Sequence, residues 1–238
     1  MPLEGVQREA FGEADADHFA WVTGHGFVAE RERTLTESAF LPLGERILDV
    51  GCGEGATLHH LGGPNGAVGI DASEEKIAFC RAHVPGPEFL VADAEALPFE
   101  DGRFDQVIVR DVFHHLTEPD RLVSEIARVL DPRGRLDVLE PCAFNPLVAL
   151  HAIVTPAERG ELESTPSRLA AMLATQFADV AVTRHQALPV HRVVFHPRLG
   201  RPEWDGARAA VAAVERVAQS VMPQLLWSYI HLRARARR

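Results

Sequence analysis

Asp49 stands directly before a glycine-rich turn, Gly51-Cys52-Gly53-Glu54-Gly55, and two further acids, Asp71 and Asp93, each follow a short apolar run. Glycines at such a turn let the backbone pass close to a ligand where a Cβ would clash. Three carboxylates at equivalent strand ends are hard to explain as packing, because a buried unpaired carboxylate is expensive. Gly51-x-Gly53-x-x-Ala56 satisfies a relaxed dinucleotide fingerprint, with Asp71 where a ribose-binding acid belongs. Charge argues against a pyrophosphate there: it would face Asp49 and Glu54, and the loop holds no Arg or Lys. A ligand with a cationic end and a ribose but no phosphate fits better.

These residues need a scaffold that delivers strand ends to one edge. Arg46–Val50, Ala67–Ile70, Glu88–Val91, Phe104–Val109 and Arg135–Glu140 read as strands, separated by helical patterns at Glu74–His83 and after Thr117-Glu118-Pro119-Asp120. Ser73 is the expected cap of the first of these helices. The alternation implies right-handed βαβ crossovers and a doubly wound, mostly parallel α/β sheet. In such sheets ligands bind beyond the carboxyl ends of the strands. Residues 1–44 read as an N-terminal helical lid, 45–200 as the binding domain with an apolar, proline-interrupted insertion at 141–166, and 201–238 as a C-terminal helix kinked at Pro223 and packed on the domain. Thr165-Pro166 starts a further helix, and 179–183 and 190–195 are the expected sixth and seventh strands.

Ile47 to Gly55, Val68 to Ser73, Val91 to Phe99, and Phe104 to Val109 with Phe113-His114-His115-Leu116 resemble, in order, four motifs of class I S-adenosylmethionine-dependent methyltransferases of the small-molecule "type 11" branch. The similarity runs continuously over residues 46–141. The resemblance implies a Rossmann-like seven-stranded sheet and S-adenosyl-L-methionine as cofactor. It also implies roles: Gly51 and Gly53 beside the methionine portion, Asp49 near the ammonium, Asp71 on the ribose hydroxyls with Ala72 beside it, Asp93 and the Ala94 amide on adenine, and the Arg110 carbonyl on the ammonium. The reaction implied is in-line transfer of a methyl group to a small organic acceptor.

Beyond the fourth and fifth strands, His115 and Glu140 are candidates for a base or an acceptor-orienting group. Phe19, Trp21, Phe27, Phe144 and Leu147 are candidates to line an apolar acceptor pocket. The pairs His59-His60 and His114-His115 suggest metal at first sight, but neighbours on a helix point about 100° apart, so no metal site is expected.

Composition narrows the partners. Lys and Arg total 24 against 34 acids, a formal charge of -10 that disfavours nucleic acid. Cys52, Cys80 and Cys142 form no CxxC pair, and no targeting segment or spanning stretch is visible, so a cytoplasmic protein is expected. The last segment is locally basic, with Leu225, Leu226, Trp227, Tyr229 and Ile230 running into Arg233, Arg235, Arg237 and Arg238. Such a face suits weak peripheral contact with anionic lipid, and a covering helix with a solvated tail is the simpler expectation. An NAD(P)-dependent oxidoreductase and a non-catalytic scaffold on the same fold are the alternative functions.

Overall fold

The computed structural model describes residues 13–200 and 202–237. Residues 1–12 of the expected lid, and Arg201 and Arg238 of the basic segment, lie outside the described residues. Helices α1 (Ala16–Thr23) and α2 (Phe27–Phe40) lead into strand β1 (Ile47–Val50). There follow α3 (Ala56–His60), β2 (Val68–Asp71), α4 (Glu74–His83), β3 (Glu88–Val91) and β4 (Phe104–Arg110). A 3-10 turn at Phe113–His115, α5 (Pro119–Val129) and β5 (Leu130–Pro141) complete the alternating region. The insertion holds α6 (Pro146–Val154), a 3-10 segment (Pro156–Glu163) and the start of α7 (Pro166–Leu173). The chain ends with β6 (Phe177–His185), α8 (Val190–Val194), α9 (Asp205–Val221) and β7 (Tyr229–Ala236).

The strands form one seven-stranded sheet in the order β3-β2-β1-β4-β5-β7-β6. β1 to β5 are mutually parallel, and β7 runs antiparallel to both β5 and β6. Alternation along the strands feeds two cores. Leu48, Val50, Val107, Val109, Leu136 and Val138 face α5 and α7, where Leu122, Ile126, Leu169 and Leu173 close the layer. Ile47, Ile108, Leu139 and Tyr229 face the other way, onto Leu35 and Phe40 of α2, Leu58 of α3 and Ile77 of α4. Capping follows the expected chemistry: the Ser73 hydroxyl accepts from the Lys76 amide at 3.2 Å, and Thr165 caps α7 ahead of Pro166.

Two expectations about the C-terminal third are corrected. Residues 190–195 are not a strand. Val190, Val194 and Phe195 share one face of the short helix α8 and pack with Val28, Val211, Trp21 and Phe27; β-branched composition misleads here because helical spacing serves the contact. The last helix stops at Val221, and residues 229–236 are the central antiparallel strand β7. Ile230, Leu232 and Ala234 alternate into the core while Arg233 turns to Asp137. Of the aromatic-aliphatic run considered for weak lipid contact, Tyr229 and Ile230 are buried in the sheet and Leu225 is exposed. Among the described residues no helix is long and apolar enough to cross a membrane.

Candidate functional site

At the carboxyl edge of β1, Asp49 is 1% exposed, and its Oδ2 has no hydrogen-bond partner among the described residues. Burial pushes its carboxyl up to about 7, opposed by Arg110 and reinforced by Asp71. The turn that follows requires glycine. Gly51 has φ +71°, and a Cβ there would run into the Val112 side chain. Gly53, at φ +54°, faces open space, with nothing within 4 Å of where its Cβ would stand. Asp71, ending β2, accepts from the Gly53 amide at 3.1 Å and the Ser73 amide at 2.9 Å, which ties the glycine turn to the second strand. Each oxygen keeps a further lone pair for a ligand hydroxyl. Ala72 is exposed beside it. Beyond β3, Asp93 Oδ1 accepts from the Glu95 amide at 2.9 Å, so its carboxylate is held in place beside half-buried Ala94.

The structure thus brings Asp49, Gly51, Gly53, Asp71 and Asp93 to one edge. An orphaned buried carboxylate oxygen, a backbone cradle open to space and a half-buried acid with lone pairs left suit a ligand carrying an ammonium and a ribose. The described N-terminal segment is tied to the end of the glycine turn and to α4. The Asp15 amide donates to Glu54 at 3.2 Å, the Ala14 amide donates to Glu75 at 3.2 Å, and Asp15 itself caps α1. Lys76, not placed by the sequence reading, stands 3.6 Å from Glu54.

Arg110 ends β4 as expected, but its side chain does something the sequence did not signal. Its guanidinium donates to Glu32 at 2.8 Å and to the Thr36 hydroxyl at 3.0 Å. Glu32, 1% exposed on α2, also takes bonds of 2.8 and 2.6 Å from Arg192 of α8. Although burial works against its charge, the two arginines and His191 hold its carboxyl well below the usual range. This buried network staples α2 and α8 to the carboxyl edge. The next residue, Asp111, adopts φ +55°, a left-handed conformation that Asp holds more readily than most non-glycine residues. Neither Glu32 nor Asp111 could be picked out from spacing.

Glu140 is not available as a base. Its Oε1 accepts from the amides of Val112 and Phe113 at 2.7 and 2.9 Å, and its Oε2 lies 2.6 Å from His114 Nδ1. It fixes the turn after β4 and orients His114. Burial disfavours the charge of His114, yet Glu140 outweighs it and raises the imidazole well above its ordinary value. His115 lies beyond β4 with its Nε2 3.9 Å from Glu158; burial and the neighbouring His114 push it down to about 4. The expected divergence of adjacent histidines does not hold for this pair. In the 3-10 turn their ring centroids are 3.9 Å apart, and Glu158 closes on both.

The predicted pocket residues do not converge. Phe19 packs edge-on against His59 and Phe79, Trp21 lies tilted against His196, and Phe27 packs edge-on against His191 and Phe195. Phe144 is exposed and Leu147 half-buried at the start of the insertion. A cavity of about 330 Å³ lies elsewhere, between α2, the end of β6 and α9, walled by Ser38, Arg184, His185, His191, Glu215 and Trp227. None of the five predicted residues lines it.

Comparison with known proteins places this edge. Residues 48–138 match the family described as "Methyltransferase domain", a span that holds Asp49, both glycines, Asp71 and Asp93. Residues 48–138 are thus similar to a methyltransferase domain. Over 96 residues it is 38% identical to a fatty-acid O-methyltransferase of Mycolicibacterium smegmatis, covering 38% of this chain and 35% of that protein. Over 134 residues it is 32% identical to a phthiotriol/phenolphthiotriol dimycocerosates methyltransferase of Mycobacterium tuberculosis, covering 52% and 45%. The chain thus spans less than half the length of these curated relatives. A solved SAM-dependent methyltransferase of Thermotoga maritima shares the fold of the methyltransferase domain and its flanking elements, with a TM-score of 0.67, 18% identity, and coverage of 96% of this chain and 97% of that one.

Proposed function

We propose that the protein is an S-adenosyl-L-methionine-dependent methyltransferase acting on a small organic acceptor. The observation that carries this reading is the orphaned, buried Asp49 oxygen beside the open Gly53 cradle. When bound, the cofactor supplies an electrophilic methyl group on a sulfonium centre. Asp49 would face its ammonium, directly or through water, with Gly51 and Gly53 admitting the methionine portion. Asp71 would accept from the ribose hydroxyls, Asp93 from the adenine amino group, and the Arg110 carbonyl from the ammonium. The chain's own contribution would be alignment of the methyl group with the acceptor. Glu140 acts by positioning the turn that carries His114 and His115 on the acceptor side.

The acceptor is inferred to be a lipid-linked or similarly apolar small molecule. Support comes from the named activities of the two curated relatives and from the insertion, where Leu150, Ile153 and Val154 of α6 are exposed. A dinucleotide in the same cradle would bring its pyrophosphate against Asp49 and Glu54, which disfavours the oxidoreductase reading.

Calorimetric titration with S-adenosylhomocysteine, and separately with NAD and NADP, tests the assignment on the wild type and on Asp71→Ala. Micromolar binding of S-adenosylhomocysteine alone is expected. Loss of two charge-assisted hydrogen bonds in the variant should weaken it about 100-fold or more. Binding of a nicotinamide cofactor instead, or equal affinity in the variant, would overturn the reading.

A further inference from the structure

We propose that His114, His115 and Glu158 form a binding site for a divalent transition-metal ion of the zinc class, oriented from behind by Glu140. The proposal goes beyond the cofactor assignment and does not rest on it.

One donor atom from each of the three residues lies within 4.8 Å of the others. Two ligands about 2.0–2.2 Å from one tetrahedral zinc stand roughly 3.3–3.5 Å apart. His114 Nε2 and Glu158 Oε2 are 3.3 Å apart, His115 Nε2 to the same oxygen is 3.9 Å, and the two imidazoles bring their ligand nitrogens within 4.8 Å, so side-chain adjustments of up to about 1.5 Å would complete the triangle. Two histidines and one glutamate are a recurrent ligand set for zinc sites that keep a fourth position open.

The surroundings are arranged as such sites require. An ionised Glu140 only accepts, so the 2.6 Å contact makes His114 Nδ1 the donor and turns Nε2 towards Glu158. A carboxylate behind a ligating histidine is the usual device for fixing its tautomer and orientation. Glu158 arrives from the insertion, and its approach depends on Gly160: a Cβ there would overlap the His114 carbonyl. The 3-10 segment can therefore lie directly against the histidine turn only with glycine at 160.

Cobalt(II) and zinc(II) are the probes, applied to the full chain after dialysis against chelator. One cobalt ion per chain is expected, with the visible bands of a four- or five-coordinate site, displaced by zinc. His115→Ala and Glu158→Gln should each weaken binding at least 10-fold, and Glu140→Gln about 10- to 100-fold through loss of ligand orientation. His59→Ala should bind as the wild type does. Glu158→Gln keeps the side-chain shape, and S-adenosylhomocysteine affinity on the same samples reports a folded cofactor edge independently. Failure of wild type to take up cobalt or zinc, or unchanged binding in both His115→Ala and Glu158→Gln, would overturn the proposal.

Discussion

Asp49 on β1 and Glu140 on β5 are both sealed from solvent at the carboxyl edge of one sheet, yet they are opposite in kind. Asp49 keeps an oxygen with no donor, and burial lifts its carboxyl to about 7. Glu140 receives two backbone amides and a histidine. Although burial works against its charge, His114 and those amides hold its carboxyl below the usual range. A carboxylate left short of partners is a place prepared for something from outside. One saturated with partners belongs to the frame. Burial alone does not separate binding residues from supporting ones; the count of donors does.

The largest effect expected from breaking this contrast is at Glu140. Glu140→Ala removes the acceptor for two amides and leaves an imidazolium facing only Glu158. Breaking a buried pair in this way should cost about 3–5 kcal/mol. Denaturant unfolding of wild type and variant would measure it. A loss under about 1 kcal/mol would mean the turn after β4 is held by packing instead.

Asp49→Asn should behave the other way, gaining stability while losing ligand. A carboxyl whose folded value lies above its unfolded one loses stability as pH rises from about 4 to about 7, and the full penalty stands above that window. A shift of that size has an upper bound of about 4 kcal/mol, and a relaxing interior should leave roughly 1–2 kcal/mol. The variant should therefore melt higher than the ligand-free wild type at pH 8, with the gap shrinking toward pH 5, and should bind S-adenosylhomocysteine at least 10-fold more weakly. A gap that does not change with pH would show that Asp49 is stabilised by partners and is not poised for a cation.

The edge of the sheet proposed to bind was legible from residues 46 to 141, because there each candidate residue sits on a local pattern: an apolar strand, a glycine turn, an acid at the end. Gly51, Gly53, Asp71 and Asp93 were readable since backbone conformation and strand ends are local facts. The support was not. Glu32 meets Arg110 and Arg192 across 78 and 160 residues, contacts no spacing rule encodes. The true last strand did carry a signal, the strict alternation of Ile230, Leu232 and Ala234 against His231 and Arg233. It was obscured because the segment continues an apolar helix past Pro223, and a proline kink and a helix end look alike from sequence.

Asp137, three residues before Glu140 on β5, allows the finest version of the comparison. Its Oδ2 accepts from Gln106 at 2.9 Å and Arg135 at 3.0 Å, while its Oδ1 takes Arg233 at 2.6 Å with His231 at 3.3 Å. Donors to both oxygens come from three strands, so no single one should be decisive. Arg233→Ala leaves Oδ1 with His231, and a guanidinium more than a third exposed contributes little beyond the bond itself. The expected cost is about 1 kcal/mol, a fall of roughly 2–4 °C in Tm. A fall several times larger would place Asp137 with Glu140, as a carboxylate whose partners act only as a set. A small one would show redundancy in the frame and, by contrast, how little there is to replace the missing partner at Asp49.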